Sequence, residues 1–233
     1  MAASRIRRVI NASGTTYLEV KQNAQAQADA VFADMGFIKV EGYGVRYTWK
    51  DSAVYMYMDL ETNTASLTFR LGDSRGSYSS GTTITAISYV NSLYTLSLTL
   101  DAYISGNSIV LLVYGTSTTP SPFVITTAMI DGFQDYLYSS YPTTSSNDTG
   151  LRLIDALTRP VIQNYNVTAV QAVKIDNCPV LSAGTVRGYI SSMSALIASS
   201  NSIVFYATAD GHKYICVMLQ INNNTSVIGL EVE

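Results

Sequence analysis

Over residues 94–100 the chain alternates Leu96, Leu98 and Leu100 with Thr95, Ser97 and Thr99, the period of a strand with one buried and one wet face. Residues 101–107 then supply turn formers, and 109–114 follow as an unbroken apolar run, which predicts a strand covered on both faces. This pair is expected at the centre of the fold. The same period predicts a hairpin over 54–71. Val54, Met56, Met58 and Leu60 share a face of one arm, Ala65, Leu67, Phe69 and Leu71 share a face of the other, and 61–64 turn between them. Tyr55, Tyr57 and Asp59 face the opposite way. Strands over 203–208, 214–221 and 226–232, separated by Asp210-Gly211 and by the asparagines at 222–224, predict a three-strand meander.

Helical spacing is clearest after Thr16, which stands three residues before Glu19 in capping-box register. Ala24, Ala28, Val31, Phe32 and Met35 then recur on one face up to Gly36, a suitable C-terminal stop. Lys21, Gln25 and Asp29 form the polar face, so this amphipathic helix is expected to lie on a sheet. Met129, Ile130, Phe133, Tyr136 and Leu137 suit a second, short helix, although Asp131-Gly132 equally suits a hairpin turn; the helix is favoured. Residues 151–158, stopped by Pro160, and 189–198 each fit a short helix or a strand. Glycines at 42 and 44 predict a bent or bulged strand over 40–49, and 167–175 keep a strand period.

Residues 141–150, rich in Thr, Ser, Asn and Asp, have the composition of a linker. They divide the chain into a domain over 1–140 and a smaller β-rich domain over 151–233. The fold class expected is mainly β (α+β): antiparallel sheets in a sandwich or barrel-like arrangement, one N-terminal amphipathic helix and short additional helices. Asn107-Ser108-Ile109-Val110 recurs as Asn201-Ser202-Ile203-Val204, an echo that shared turn chemistry explains as well as duplication does.

Charged residues are only 13% of the 233 positions, about half the usual share. Uncharged polar side chains must therefore form much of the surface, with little like-charge repulsion between copies. A net charge of −3 argues against general nucleic-acid binding, which needs a basic face. The local exception is Arg5, Arg7 and Arg8, expected on a solvated, partly disordered arm able to contact phosphate or an acidic partner surface and, in a particle, to order against a neighbouring subunit. The longest apolar run, 109–114, is far shorter than a membrane helix of roughly 20 residues, so a soluble chain without membrane contact is expected. The polar stretch 11–16 stands where a secretory signal would be apolar. Cys178 and Cys216 lack metal-ligand spacing and read as ordinary thiols.

Catalytic patterns find no support. His212, the one histidine, follows Asp210-Gly211 in a predicted turn and lacks a serine elbow to serve. Asp59 with Glu61 and Asp131 with Asp135 are close in sequence, as paired hydrolytic carboxylates would be, but strand-end acids are ordinarily just solvated. Residues 72–76 lack the lysine of a phosphate loop. No catalytic, metal or cofactor-binding residue is assigned, and no cofactor is expected.

The remaining signal is tyrosine, with 17 copies against one tryptophan. On wet faces and in loops such rings suit contacts that bury the ring and keep the hydroxyl bonded. Arg5, Arg7, Arg8, Tyr55, Tyr57, Tyr78, Tyr138 and Tyr141 are the candidate interface residues. In this texture, carried by 55–71, 94–114 and 203–232, the chain resembles structural proteins of tailed-bacteriophage virions, such as tail, baseplate, neck or capsid-decorating subunits. The resemblance implies a non-enzymatic subunit present in many copies in the virion, assembled in the host cytoplasm, with copies of itself and other virion proteins as partners. The alternative is a carbohydrate-binding or adhesive β-module in which tyrosines stack on saccharide. Coplanar rings in a groove would favour sugar, and a flat repeating patch would favour assembly.

Overall fold

The strand period at 94–114 continues on both sides in a computed structural model, which describes residues 2–41, 45–50, 52, 54–58, 63–72, 82–140, 152–153, 161–162, 172–175, 178–182, 185–197, 200, 202–221 and 224–233. The chain begins with strand β1 (Ser4–Gly14) and helix α1 (Tyr17–Asp34). Then come β2 (Phe37–Lys39), β3 (Arg46–Trp49), β4 (Tyr55–Met58), β5 (Ser66–Gly72) and β6 (Thr82–Thr85), paired in that order as an antiparallel helix-side sheet. β7 (Ile87–Val90), β8 (Leu93–Ser105), β9 (Ser108–Tyr114), β10 (Ser121–Ile130) and β11 (Phe133–Ser140) follow as long antiparallel strands. After them come the short β12 (Arg152–Leu153), β13 (Val161–Ile162) and β14 (Val173–Ile175). The chain continues through β15 (Pro179–Ser182), β16 (Thr185–Ile190), β17 (Ser194–Ile197), β18 (Val204–Ala209), β19 (His212–Ile221) and β20 (Asn224–Val232).

A central sheet runs β1-β8-β9-β10-β16-β15-β13, with β7 also on β8, β11 on β10 and β12 on β11. A third sheet runs β14-β17-β20-β19-β18 and contains the expected meander. Strand β9 shows why the layers stack. Ile109, Leu111 and Val113 join one buried cluster with α1 and the helix-side sheet, whereas Val110 and Leu112 join another with Ile215, Val217, Ile228 and Leu230 of the third sheet. The central sheet is thus covered on both faces, as its apolar run requires.

Helix α1 begins and ends as its sequence dictates. Thr16 Oγ1 accepts from Glu19 N–H at 3.1 Å, and the Glu19 carboxylate accepts Thr15 N–H at 2.7 Å, a capping exchange displaced by one residue. Gly36 N–H donates to Ala33 O at 2.9 Å, and the residue takes φ +91°, the left-handed conformation that turns the chain out of the helix. The apolar face packs on an aromatic group: Phe32 stacks on Tyr47 (4.5 Å), Phe37 meets Phe32 and Trp49 edge-on, and Trp49 Nε1–H donates to Asn107 O at 3.0 Å. That bond pins the β8–β9 turn beneath the helix-side sheet. Lys21, on the polar face by its period, is buried.

Several expectations change. Among the described residues α1 is the one helix. Residues 129–137 form the β10–β11 hairpin instead, because Asp131 (φ 50°) and Gly132 (φ 86°) both adopt the left-handed conformation that matches the twist of paired strands. Within 189–198 the described residues form the end of β16, held between β10 and β15, a short connection and β17, with no helix among them. The turn expected over 101–107 shrinks to Gly106 and Asn107, since β8 continues its alternation through Ala102 and Ile104. The arginine-bearing start is no arm: β1 pairs with Tyr94 to Ile104 of β8, with Ile10 in the core and Ile6 and Ala12 packed against it.

The 54–71 hairpin appears as β4–β5; of the strand expected over 40–49 only 46–49 is strand, as β3, which turns back antiparallel on β2, while 59–62 and the glycines at 42 and 44 lie outside the described residues, as do 73–81, the expected linker 141–150, most of 151–158, and 167–171. The pairs β10–β16 and β11–β12 carry central-sheet hydrogen bonds across the 141–150 segment.

Candidate functional site

The alternation that buries Leu98, Leu100 and Ala102 toward α1 sends Asp101 and Tyr103 to the opposite face, where the third sheet covers them. A carboxylate there needs a paired cation. The register sets Arg7 opposite Asp101 and brings Arg5 in diagonally, so that Arg5 Nε meets Oδ1 at 2.8 Å and Arg5 Nη2 meets Oδ2 at 2.5 Å. The two ends are unequally wet: the Arg5 side chain is 50% exposed and that of Asp101 only 4%. This hydrogen bonding raises the Arg5 pKa further above its ordinary value.

Around the pair lie tyrosines and a lysine. The Arg5 guanidinium sits 5.4 Å from the Tyr103 ring, Tyr103 and Tyr206 join hydroxyls at 2.7 Å across the two sheets, and Lys213 Nζ stands 4.6 Å from the Tyr206 ring. Burial, then the bond with Tyr206, pushes the Tyr103 phenol up; burial, then the charge of Asp101, does the same for Tyr114. A cavity of about 450 Å³ opens among Ala3, Arg5, Tyr103, Tyr206, Lys213 and Glu233. These shifts keep the Arg5 guanidinium charged and the Tyr103 and Tyr114 phenols protonated at neutral pH.

A second polar centre lies between β9, β10 and the β16–β17 connection. Ser192 Oγ is within hydrogen-bond reach of Ser108 Oγ (2.5 Å), Thr126 Oγ1 (3.1 Å) and Thr127 Oγ1 (2.7 Å), and it accepts from Thr127 N–H at 2.9 Å. A cavity of about 550 Å³ adjoins it, lined in part by Ser191, Ser192, Cys178 and Lys174. Neighbouring hydroxyls hold this serine, and no histidine does among the described residues. His212 is exposed at the β18–β19 turn, with Nδ1 3.0 Å from Glu231 Oε1. Cys178 and Cys216 are buried free thiols, and burial pushes Cys216 up to about 12.

The interface candidates scatter. Arg5 serves Asp101. Arg8 Nε pairs with Asp34 at 3.0 Å, and Arg7 lies on the outer edge of β1 without a guanidinium hydrogen bond among the described residues. Tyr55 and Tyr57 are half-buried on β4, their rings 4.6 and 5.8 Å from the Arg46 guanidinium. Tyr138 is buried in the helix-side core. Tyr78 and Tyr141 lie outside the described residues. Asp101, Tyr103, Tyr206 and Lys213 escaped the sequence reading; the signal for the first two was the alternation continuing through Ala102 and Ile104.

Exposed apolar side chains gather at two hairpin turns. At β7–β8, where Asn91 and Ser92 take φ of 52° and 65°, Tyr89 is 64% exposed beside exposed Val90 and Leu93, and the Tyr94 ring lies between those of Tyr89 (4.9 Å) and Tyr17 (4.3 Å). At β10–β11, Phe133 is 77% exposed, Met129 is exposed opposite Tyr189 of β16, and Arg187 pairs with Asp131 at the turn.

Comparison of the chain with protein-family models, with curated proteins and with solved structures gives no match.

Proposed function

We propose that this protein is a non-enzymatic structural subunit of a tailed-phage particle, a tail, baseplate, neck or capsid-associated component that acts by contact with copies of itself and with other particle proteins. The observation that carries the reading is the pair of aromatic-aliphatic hairpin turns, with Phe133 at 77% and Tyr89 at 64% exposure. Large apolar groups held in water on short turns mark contact sites. Two dissimilar patches on one chain suit head-to-tail contacts, which close into rings or grow as stacks. The weakly charged surface supports close packing of copies, and the resemblance in the β-hairpins supports a virion setting.

The carbohydrate reading stands second. The tyrosine pairs at Tyr17–Tyr94, Tyr89–Tyr94 and Tyr55–Tyr57 are tilted by 43°, 52° and 44°, so none of them offers one plane to a sugar ring. Light scattering over a concentration series with negative-stain imaging tests the assembly reading. A discrete ring or lengthening tube is expected from the wild type, and Phe133→Asp is expected to return it to monomer with its circular dichroism unchanged. A wild type that stays monomeric at every concentration but binds glycans would replace assembly by the second reading.

A further inference from the structure

We propose that the outer edge of β1, over residues 5–9, accepts an extended acidic segment of another protein as an added strand. In an antiparallel pair, alternate residues turn both N–H and C=O to the same side. Asn11 fixes the parity on β1: its N–H and C=O go outward to the Gln27 side chain, at 3.2 and 2.6 Å. Odd-numbered residues therefore point away from β8. Ser13 O is taken by Asn23 Nδ2 at 2.8 Å, and Ala3 N–H is taken by Glu231 O at 2.7 Å. Helix α1 thus closes one end of the edge and β20 the other.

Between them the outward groups of Arg5, Arg7 and Val9 remain. Among the described residues their N–H groups have no backbone or side-chain partner, and the one contact on their carbonyls is Arg8 Nη1 on Arg7 O. A five-residue window is the length of an ordinary short strand, and such an edge is a template for strand addition.

Charge selects the occupant. Arg5, Arg7 and Arg8 crowd this window in a chain whose net charge is −3. Two copies paired antiparallel about the window centre would set Arg7 against Arg7, and like charges directly opposite destabilise a sheet. A strand bearing carboxylates meets the Arg7 guanidinium instead, while Arg5 keeps Asp101. The edge is separate from the hairpin turns, so the inference stands whether or not those turns mediate assembly.

The test is amide hydrogen exchange on the full chain with a capped seven-residue peptide, Thr-Val-Glu-Val-Glu-Val-Thr, against the same peptide with Lys for Glu. At ten times its Kd the glutamate peptide is expected to slow exchange about tenfold at Arg5, Arg7 and Val9 and to leave Ile6 and Arg8 unchanged. Of the backbone groups Arg7→Pro deletes only an outward N–H, which an edge strand tolerates; with the guanidinium lost as well, it is expected to abolish the protection at Arg5 and Val9. Arg7→Glu, which needs no backbone change, is expected to shift preference to the lysine peptide. Equal protection by both peptides, protection surviving in Arg7→Pro, or none at the highest soluble concentration would overturn the proposal. So would concentration-dependent protection of these amides in the free protein, which would assign the edge to a second copy.

Discussion

On the side of the central sheet turned to α1, Leu96, Leu98, Leu100 and Ala102 stand in a row, and what they meet is apolar or aromatic: Phe32, Phe37, Phe69 and Trp49 belong to the same cluster. On the other side the same strand presents Asp101, paired with Arg5 of the neighbouring β1 within the central sheet, and Tyr103, and the third sheet is tied to this face by two phenols sharing a hydrogen bond and, beside β10, by the hydroxyls around Ser192. The first interface is non-directional and rests on burial and packing. The second still buries Val110, Leu112, Ile215 and Val217, but the polar groups in it depend on particular partners. Loss on the first side should therefore scale with volume removed, and loss on the second with which partner is left behind.

Trp49→Ala tests the first half of that contrast and carries the largest effect. It empties the most voluminous fully buried side chain and severs the bond to Asn107. A loss of about 3–5 kcal/mol is expected for such a truncation, read by urea unfolding followed by far-ultraviolet circular dichroism, since the chain has a single tryptophan. A loss near zero would show that the helix-side sheet is not coupled to the β8–β9 turn.

The ion pair tests the second half through an asymmetry. Arg5→Ala strands the Asp101 carboxylate in a dry site, for about 3 kcal/mol or more. Asp101→Asn leaves behind only a half-exposed guanidinium that water can serve, for about 1 kcal/mol. Equal losses in urea midpoints would mean that Asp101 is wetter than its 4% exposure indicates.

The apolar side was also the legible one. Helix α1 announced itself through Thr16, Glu19 and a run of apolar positions, because capping and period are local facts. Asp101 did not, because an acid after a strand run reads as the start of a turn, and its partner Arg5 is 96 residues away. The same distance hid β1. Arg8 interrupts the alternation of Ile6, Ile10 and Ala12, but its long side chain reaches the surface to pair with Asp34 and so costs the strand little. At 129–137, helical spacing and a hairpin turn competed, and the left-handed pair Asp131-Gly132 decided it. Lys21 was misplaced outright, since a period names a face but not what a neighbouring sheet covers.

The smallest effect separates the two sides by pH. Tyr47, on the helix side, is pushed up by burial and by donating to Asp29 at 2.7 Å; Tyr103, on the other, is pushed up by burial and by Tyr206. A group whose folded pKa lies above its unfolded value contributes stability that is complete below the unfolded value and lost as pH rises through the folded one. For a phenol the decline begins near pH 10, so stability should hold steady through neutrality and fall in alkali. Tyr47→Phe and Tyr103→Phe each remove one such group at about 1 kcal/mol near pH 7. Each should also make the alkaline decline shallower, Tyr47→Phe more so, because the partner of Tyr47 is an anion that a phenolate would repel. Urea midpoints at pH 7 and pH 11 for wild type and both variants measure this. An unchanged alkaline slope in both would place the decline outside these two phenols, with the Cys216 thiol, held up to about 12 by burial, next in line.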